Sequence, residues 1–136
     1  MIVQEIMTPN PVTVEVTDSI GDVIDVLNDL DIRHVPVTDN GILVGMVSDR
    51  DLRDFSLPMM VSFNNPDKAI ERLKRTVGEI MYSDVITVGS ESEVSELAEI
   101  MIDHKIGAVP VCDQIEGRLI GIVSYVDVLR AAVDEL

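Results

Sequence analysis

The chain repeats itself, and this repetition limits the fold more than any other feature. Val3-Gln4-Glu5-Ile6-Met7 returns as Val77-Gly78-Glu79-Ile80-Met81, and Val12-Thr13-Val14 as Ile86-Thr87-Val88. Val35-Pro36-Val37 returns as Val109-Pro110-Val111, and Gly41 to Ser48 as Gly117 to Ser124. The offset is 74 residues up to a turn and 76 beyond it, where Ile115 and Glu116 lengthen the connection. About 52 positions align and 18 are identical, far above the roughly one in fifteen expected by chance. Two halves so related are two supersecondary units of one kind.

Each unit carries the same pattern of elements. Val12 to Val16 alternates with period two after Pro9 and Pro11, as a strand does. Thr17, Asp18 and Ser19 offer N-caps for a helix whose apolar positions Ile20, Val23, Ile24, Leu27 and Leu30 follow three-and-four spacing. Ile32 to Val37 is a second strand, Asp39-Asn40-Gly41 a hairpin turn, and Leu43 to Val47 the returning strand. A short helix from Asp49 to about Asp54 closes the unit. Val94, Leu97, Ala98 and Met101 supply the equivalent helix face in the second half. Between the halves, Asn65-Pro66 opens a helix running to about Arg75. The spacing therefore predicts a first motif over residues 1–54, a linker with a short helix over 55–76 and a second motif over 77–136.

Both motifs end on a Gly, two apolar residues, a Ser and an Asp three residues later: Gly45-Met46-Val47-Ser48-Asp49-Arg50-Asp51 and Gly121-Ile122-Val123-Ser124-Tyr125-Val126-Asp127. Two chemistries satisfy this spacing. Ser48 and Ser124 cap a helix, with Asp51 and Asp127 completing a capping box that binds nothing. Alternatively, the hydroxyl and first-turn amides hold an anion while the carboxylate accepts two hydrogen bonds from a ribose diol.

Composition narrows the classes further. With 46% hydrophobic residues, 3% aromatic and no Trp, the core must be built from Val, Ile, Leu and Met. The single Cys112 has no disulfide or metal-site partner of its own kind, which fits a reduced setting. No run approaches the roughly 18 apolar residues of a membrane span, and Met1-Ile2-Val3-Gln4-Glu5 lacks the features of a signal peptide; the expectation is a cytoplasmic chain without membrane attachment. The formal charge of −15 argues against nucleic-acid backbones and anionic membranes as partners. The acidic residues, as in Asp22, Asp25, Asp29 and Glu93, Glu96, Glu99, fall on the outer faces of helices.

The tandem repeat, with its Glu5-Ile6-Met7 and Glu79-Ile80-Met81 openings, two Val-Pro-Val strands and two Gly-x-x-Ser-x-x-Asp endings, resembles a pair of cystathionine β-synthase (CBS) domains, often called a Bateman module. The resemblance covers nearly the whole chain. It implies an α/β (α+β) fold of two βαββα motifs packed about a pseudo-twofold axis, with clefts between them. Such modules commonly bind AMP, ADP, ATP or S-adenosylmethionine as regulatory ligands, pair into disc-like homodimers and regulate an attached or partner protein. Carried over by position, Asp51 and Asp127 become ribose-diol acceptors and Ser48 and Ser124 phosphate contacts. Thr13 and Thr87 line the cleft near the base. Val35-Pro36 and Val109-Pro110 pack on adenine and offer it backbone groups. Pro36 also has a plain role as an edge or strand-end residue.

The halves diverge where the resemblance places the phosphates. Arg33 and His34 stand where the second motif has Gly107 and Ala108, and Arg50 and Arg53 where it has Val126 and Leu129. The guanidinium fork of Arg33 suits a phosphate. Unequal sites follow, one of them either empty or holding a nucleoside-like ligand, with S-adenosylmethionine suited to the less basic cleft, while seven Met residues are accounted for as core packing. No catalytic arrangement is visible: His34 and His104 join no nucleophile or metal set, and Ser48 and Ser124 lack a paired base. No catalytic cofactor is expected, and the regulated protein is a separate, unidentified partner. Val26, Ile100 and Ile102, with the apolar run Leu57–Phe63, are candidate contact surfaces for a second subunit. The alternatives are a structural dimerisation or interaction module whose Ser–Asp pairs only cap helices, and a divalent-cation sensor using the acidic surface.

Overall fold

The computed structural model describes residues 1–61 and 66–136, without the side chains of 56–61. The expectations for Asn65 as a cap and for Leu57–Phe63 as a contact surface concern groups outside those described. In chain order the elements are a 3-10 turn at Val3–Glu5, β1 (Thr8–Pro9), β2 (Val14–Glu15), α1 (Ile20–Leu30), β3 (His34–Asp39), β4 (Ile42–Ser48), α2 (Asp49–Val61) and α3 (Pro66–Leu73). A second 3-10 turn at Val77–Glu79 follows, then α4 (Val94–His104), β5 (Ala108–Cys112), β6 (Leu119–Ser124) and α5 (Tyr125–Glu135). Two three-stranded sheets result, ordered β2-β3-β4 and β1-β6-β5.

The chain divides into two compact units that do not follow the order of the repeats. The first comprises Val12–Asn40 and Val44–Val85; the second comprises Met1–Pro11, Gly41–Leu43 and Ile86–Leu136. Each repeat thus contributes its opening segment to the unit built mainly from the other.

In the first unit, α1 starts where Ser19 Oγ accepts from the Asp22 N–H (3.2 Å) and stops at Asp31, a left-handed residue with φ 51°. Ile20, Val23 and Leu27 are buried. Leu30, expected on the same face, is 50% exposed, because the helix ends there and its last apolar position passes beyond the core. The β3–β4 hairpin turns on Asn40 (φ 52°) and Gly41 (φ 86°), both in the left-handed region that a two-residue hairpin requires. The expected strand Val12–Val16 contracts to Val14–Glu15, parallel to β3 with Val14 opposite Val37.

The second repeat's opening completes this unit. The Val77 N–H donates to the Asp18 carbonyl (2.8 Å), the Gly78 N–H to the Val16 carbonyl (3.1 Å), and Met46 and Tyr82 exchange both backbone bonds at 2.8 Å. Fully buried Val77 joins the cluster of Val14, Ile20, Val23, Leu27, Val35, Val37, Val47 and Leu52, with Ile80 and Met81 packed on it.

The second unit mirrors the first. The Val3 N–H donates to the Ser92 carbonyl (2.8 Å), and Val3 packs with Val88, Leu97, Met101, Val109, Val111 and Val123. Here the opening segment goes further and forms β1, antiparallel to β6 with Thr8 opposite Ile122. The expected strand Ile86–Val88 is reduced to a single parallel bridge between Val88 and Val111.

The two Val-Pro-Val strands differ in place: β3 is central in its sheet, whereas β5 is terminal and carries only the Val88 bridge on its outer side. Pro36 is in the central strand of its sheet, so the edge role expected of it is not the one it has. The register explains why a proline is tolerated. The Val88 N–H donates to the Pro110 carbonyl and the Cys112 N–H donates to the Val88 carbonyl, so this ladder asks nothing of the Pro110 nitrogen. Pro36 stands at the same register against β2. Of the exposed apolar positions expected on the helices, Val26 and Ile100 instead pack against the two cores, and Ile102 is 72% exposed. Asp22, Asp25, Asp29, Glu93, Glu96 and Glu99 are all exposed.

Candidate functional site

Each unit presents the same construction at the open end of its hairpin. In the second unit the antiparallel pairing sets Ala108 opposite Ser124, so the start of β5 and the first turn of α5 meet. The Tyr125 N–H donates to the Gly107 carbonyl (2.9 Å), and in the first unit the Asp49 N–H donates to the Arg33 carbonyl (2.7 Å). One of the orphan amides of each helix start is thereby satisfied, and the Asp51 and Asp127 amides are met by the Ser48 and Ser124 hydroxyls.

Those pairs are capping boxes. The Ser48 N–H donates to Asp51 Oδ2 and the Asp51 N–H donates to Ser48 Oγ, both at 3.0 Å. The Ser124 N–H donates to Asp127 Oδ2 (2.8 Å), and the Asp127 N–H donates to Ser124 Oγ over a longer 3.4 Å. The Ser124 hydroxyl also donates to Asp127 Oδ2 (3.1 Å). One carboxylate oxygen of each Asp is spent on the helix. Among the described residues, Oδ1 of Asp51 and of Asp127 accepts nothing, and both side chains are half-buried. The capping role and a ligand role are therefore compatible, because they use different oxygens.

The glycine three residues before each Ser admits a methionine from the opening of the other repeat. A Cβ on Gly121 would stand 2.5 Å from Met7 Sδ and 3.1 Å from the Thr8 carbonyl oxygen. Gly45 faces Met81 and Tyr82 in the same way. This contact holds β4 and β6 under their caps. Sequence reasoning missed it, although a repeated Met and a repeated Gly at matching positions were its signal.

The other expected residues fall into two groups. Arg33, His34, Ser48, Arg50 and Asp51 are gathered around the start of α2, with Arg33 and Arg50 exposed and His34 half-buried. Burial is the main force holding the His34 imidazole below its ordinary pKa; the Arg33 guanidinium adds to this, while Asp51 and Asp49 oppose it. Arg53 is drawn away by Asp49 at 3.6 Å, a pairing not foreseen. In the second unit Ala108, Ser124 and Asp127 come together, and Tyr125 at the start of α5 is 52% exposed. Val35 and Val109 are wholly buried, and Pro36 and Pro110 are buried beside them, so what they can offer a ligand is main chain. Thr13 and Thr87 are exposed, next to residues whose register places them at the start of the same parallel ladders.

An open pocket of the second unit, lined by Ser90, Ser92, Cys112, Asp113 and Gln114, lies at the turn end of β5, opposite to Ser124. Among the described residues no group of three His, Cys, Asp or Glu side chains has metal-binding geometry. No described helix is long and apolar enough to cross a membrane.

The CBS domain model matches twice, over residues 3–57 and 77–134. A CBS domain-containing protein of Dictyostelium discoideum is 34% identical over the whole chain, which spans 94% of its length. Seven further curated relatives are longer, and the chain spans 22% to 46% of them. The solved CBS domain pair of protein MJ0100, in complex with 5′-methylthioadenosine and S-adenosyl-L-methionine, is 29% identical with a TM-score of 0.79, covering 100% of this chain and 98% of that one. The plant protein CBSX2 in complex with AMP is 31% identical with a TM-score of 0.79, covering 98% and 97%. With two matched motifs that together take up most of its length, and with neighbours of the same mixed α/β fold, the chain belongs to the CBS domain family as a tandem pair.

Proposed function

We propose that this CBS pair is a regulatory module that binds an adenosine-containing ligand at its Ser–Asp sites and signals to a partner protein by a change of shape. The observation that carries this is the unspent Oδ1 on both Asp51 and Asp127, each beside a capped helix start. A carboxylate so placed can accept from both hydroxyls of a ribose without giving up its cap. The relatives support the ligand class, since the solved pairs hold methylthioadenosine, S-adenosylmethionine or AMP. Arg33, His34 and Arg50, with Thr13, Val35, Pro36 and Ser48, form the first site; Thr87, Ala108, Val109, Pro110 and Ser124 form the second. The chain acts as a regulator and not an enzyme, and a homodimer carries the signal. A ligand that prefers one arrangement of the pair shifts the population by its differential affinity.

Thermal unfolding against AMP, ADP, ATP, S-adenosylmethionine and Mg²⁺ tests the proposal. Binding at about 100 times Kd stabilises the native state by about 2.7 kcal/mol, which is a shift of several degrees for a chain of this size. Asp51→Asn and Asp127→Asn keep an oxygen for the cap but lose the charge, and at least one of them should abolish the shift. If no adenosine compound moves the midpoint of a folded protein, the Ser–Asp pairs are helix caps and the chain is an interaction module. If Mg²⁺ alone moves it, the chain is a cation sensor.

A further inference from the structure

The two sites share a frame but differ in every charged position around it. Equivalent positions pair Arg33 with Gly107, His34 with Ala108, Arg50 with Val126 and Arg53 with Leu129. In the first unit Arg53 is engaged by Asp49, which leaves Arg33 and Arg50 exposed and without an ion pair among the described residues. In the second unit the corresponding surface is apolar: Val126 is 41% and Leu129 59% exposed, beside Tyr125 at 52%. The one basic residue of α5, Arg130, stands a turn further on, in the position of Asp54.

The hydroxyls differ in the same sense. Ser48 Oγ accepts from the Asp51 N–H and its own proton is uncommitted among the described residues. Ser124 gives its proton to Asp127. Ser48 can therefore donate to an anion, whereas Ser124 must first break a charge-assisted bond to do so. On a chain of net charge −15, an anionic group without local cations is also repelled at longer range.

Building on the proposed adenosine binding, we infer that the sites divide ligands by phosphate. The first site takes a phosphorylated adenosine. The second takes an adenosine derivative whose 5′ substituent carries no phosphate and packs on the exposed Tyr125, Val126 and Leu129.

The test is calorimetric titration of the full chain with AMP and with adenosine, which differ by one phosphate. In Asp127→Asn, where the first site remains, AMP should bind at least tenfold more tightly than adenosine. In Asp51→Asn, where the second remains, adenosine should bind at least as tightly as AMP. Arg33→Ala combined with Arg50→Ala, both at exposed positions, should cut AMP affinity at the first site at least tenfold and lower the AMP-to-adenosine affinity ratio with it. Circular dichroism confirms that each variant is folded. Equal AMP-to-adenosine ratios in the two single-site variants, or AMP affinity indifferent to the arginines, overturn the division and leave adenosine binding intact. If neither compound binds the unmodified chain, the adenosine proposal itself falls and the division falls with it.

Discussion

Placing a methyl group on Gly121 tests the contact that joins the opening of one repeat to the site strand of the other. The Cβ would meet Met7 Sδ at 2.5 Å, Met7 Cγ at 3.1 Å and the Thr8 carbonyl oxygen at 3.1 Å. Overpacking of this kind costs about 1–3 kcal/mol. Unfolding entropy of about 2.1 cal/mol/K per residue gives roughly 0.3 kcal/mol/K for 136 residues, so Gly121→Ala should lower Tm by about 3–10 °C. Met7→Ala removes the thioether and should cost a comparable amount through lost packing. Together the two should be less damaging than their sum, because the new methyl occupies vacated space. Urea unfolding of the four proteins in the cycle measures a favourable coupling of at least about 1 kcal/mol. Some cost should persist in the double variant, since the Thr8 oxygen cannot withdraw without breaking β1 from β6. Gly45→Ala with Met81→Ala should behave likewise, whereas Gly121→Ala with Met81→Ala should simply add. Additivity of Gly121→Ala and Met7→Ala within about 0.5 kcal/mol would refute the contact.

Two further outcomes follow from the fold. Lys105 caps α4 in the left-handed region at φ 54°; Lys105→Gly should raise stability by about 0.5–1 kcal/mol, and Asp31→Gly, at φ 51°, should do so while also removing a negative charge from a helix C-terminus; unchanged urea midpoints would count against both. Stability should also fall at both ends of the pH scale: burial keeps His34 below its ordinary 6.5, so the unfolded chain binds more protons as pH drops below that value, and burial with the neighbouring Asp113 keeps the Cys112 thiol above 9.0, so the unfolded chain loses a proton first as pH rises past it. His34→Gln should flatten the acid limb and Cys112→Ala the alkaline one in melts recorded across pH.

Local signals in the sequence were reliable where the physics is local. Asn40-Gly41 announced its hairpin because few residue pairs accept two left-handed conformations. Ile20, Val23 and Leu27 announced the buried face of α1 because helical spacing fixes which side chains align. The Ser–Asp spacing announced both capping boxes, yet left open whether they also bind, since Oδ1 is invisible to spacing. What escaped was long-range. Thr8-Pro9 has no strand signature, and becomes β1 only because Gly121-Ile122 offers it an edge more than a hundred residues later. Val26 and Ile100 read as exposed on a single-stripe helix, but both meet a core from a wider angle. The engagement of Arg53 by Asp49 likewise depends on which rotamers meet around α2.

The crossed membership of the two units has a consequence for inheritance and for dissection. Half a chain ending before Val77 would lack Val77, Ile80 and Met81, which seal the cluster around Val35; the other half would lack Val3, Ile6 and Met7. Neither half is an autonomous cassette. Topologically, the pair is a reciprocal exchange of arms between two copies, made permanent by fusion into one polypeptide. Cut within the 55–76 stretch, the pieces should behave as split-protein fragments: each incomplete alone, and recovering together when mixed.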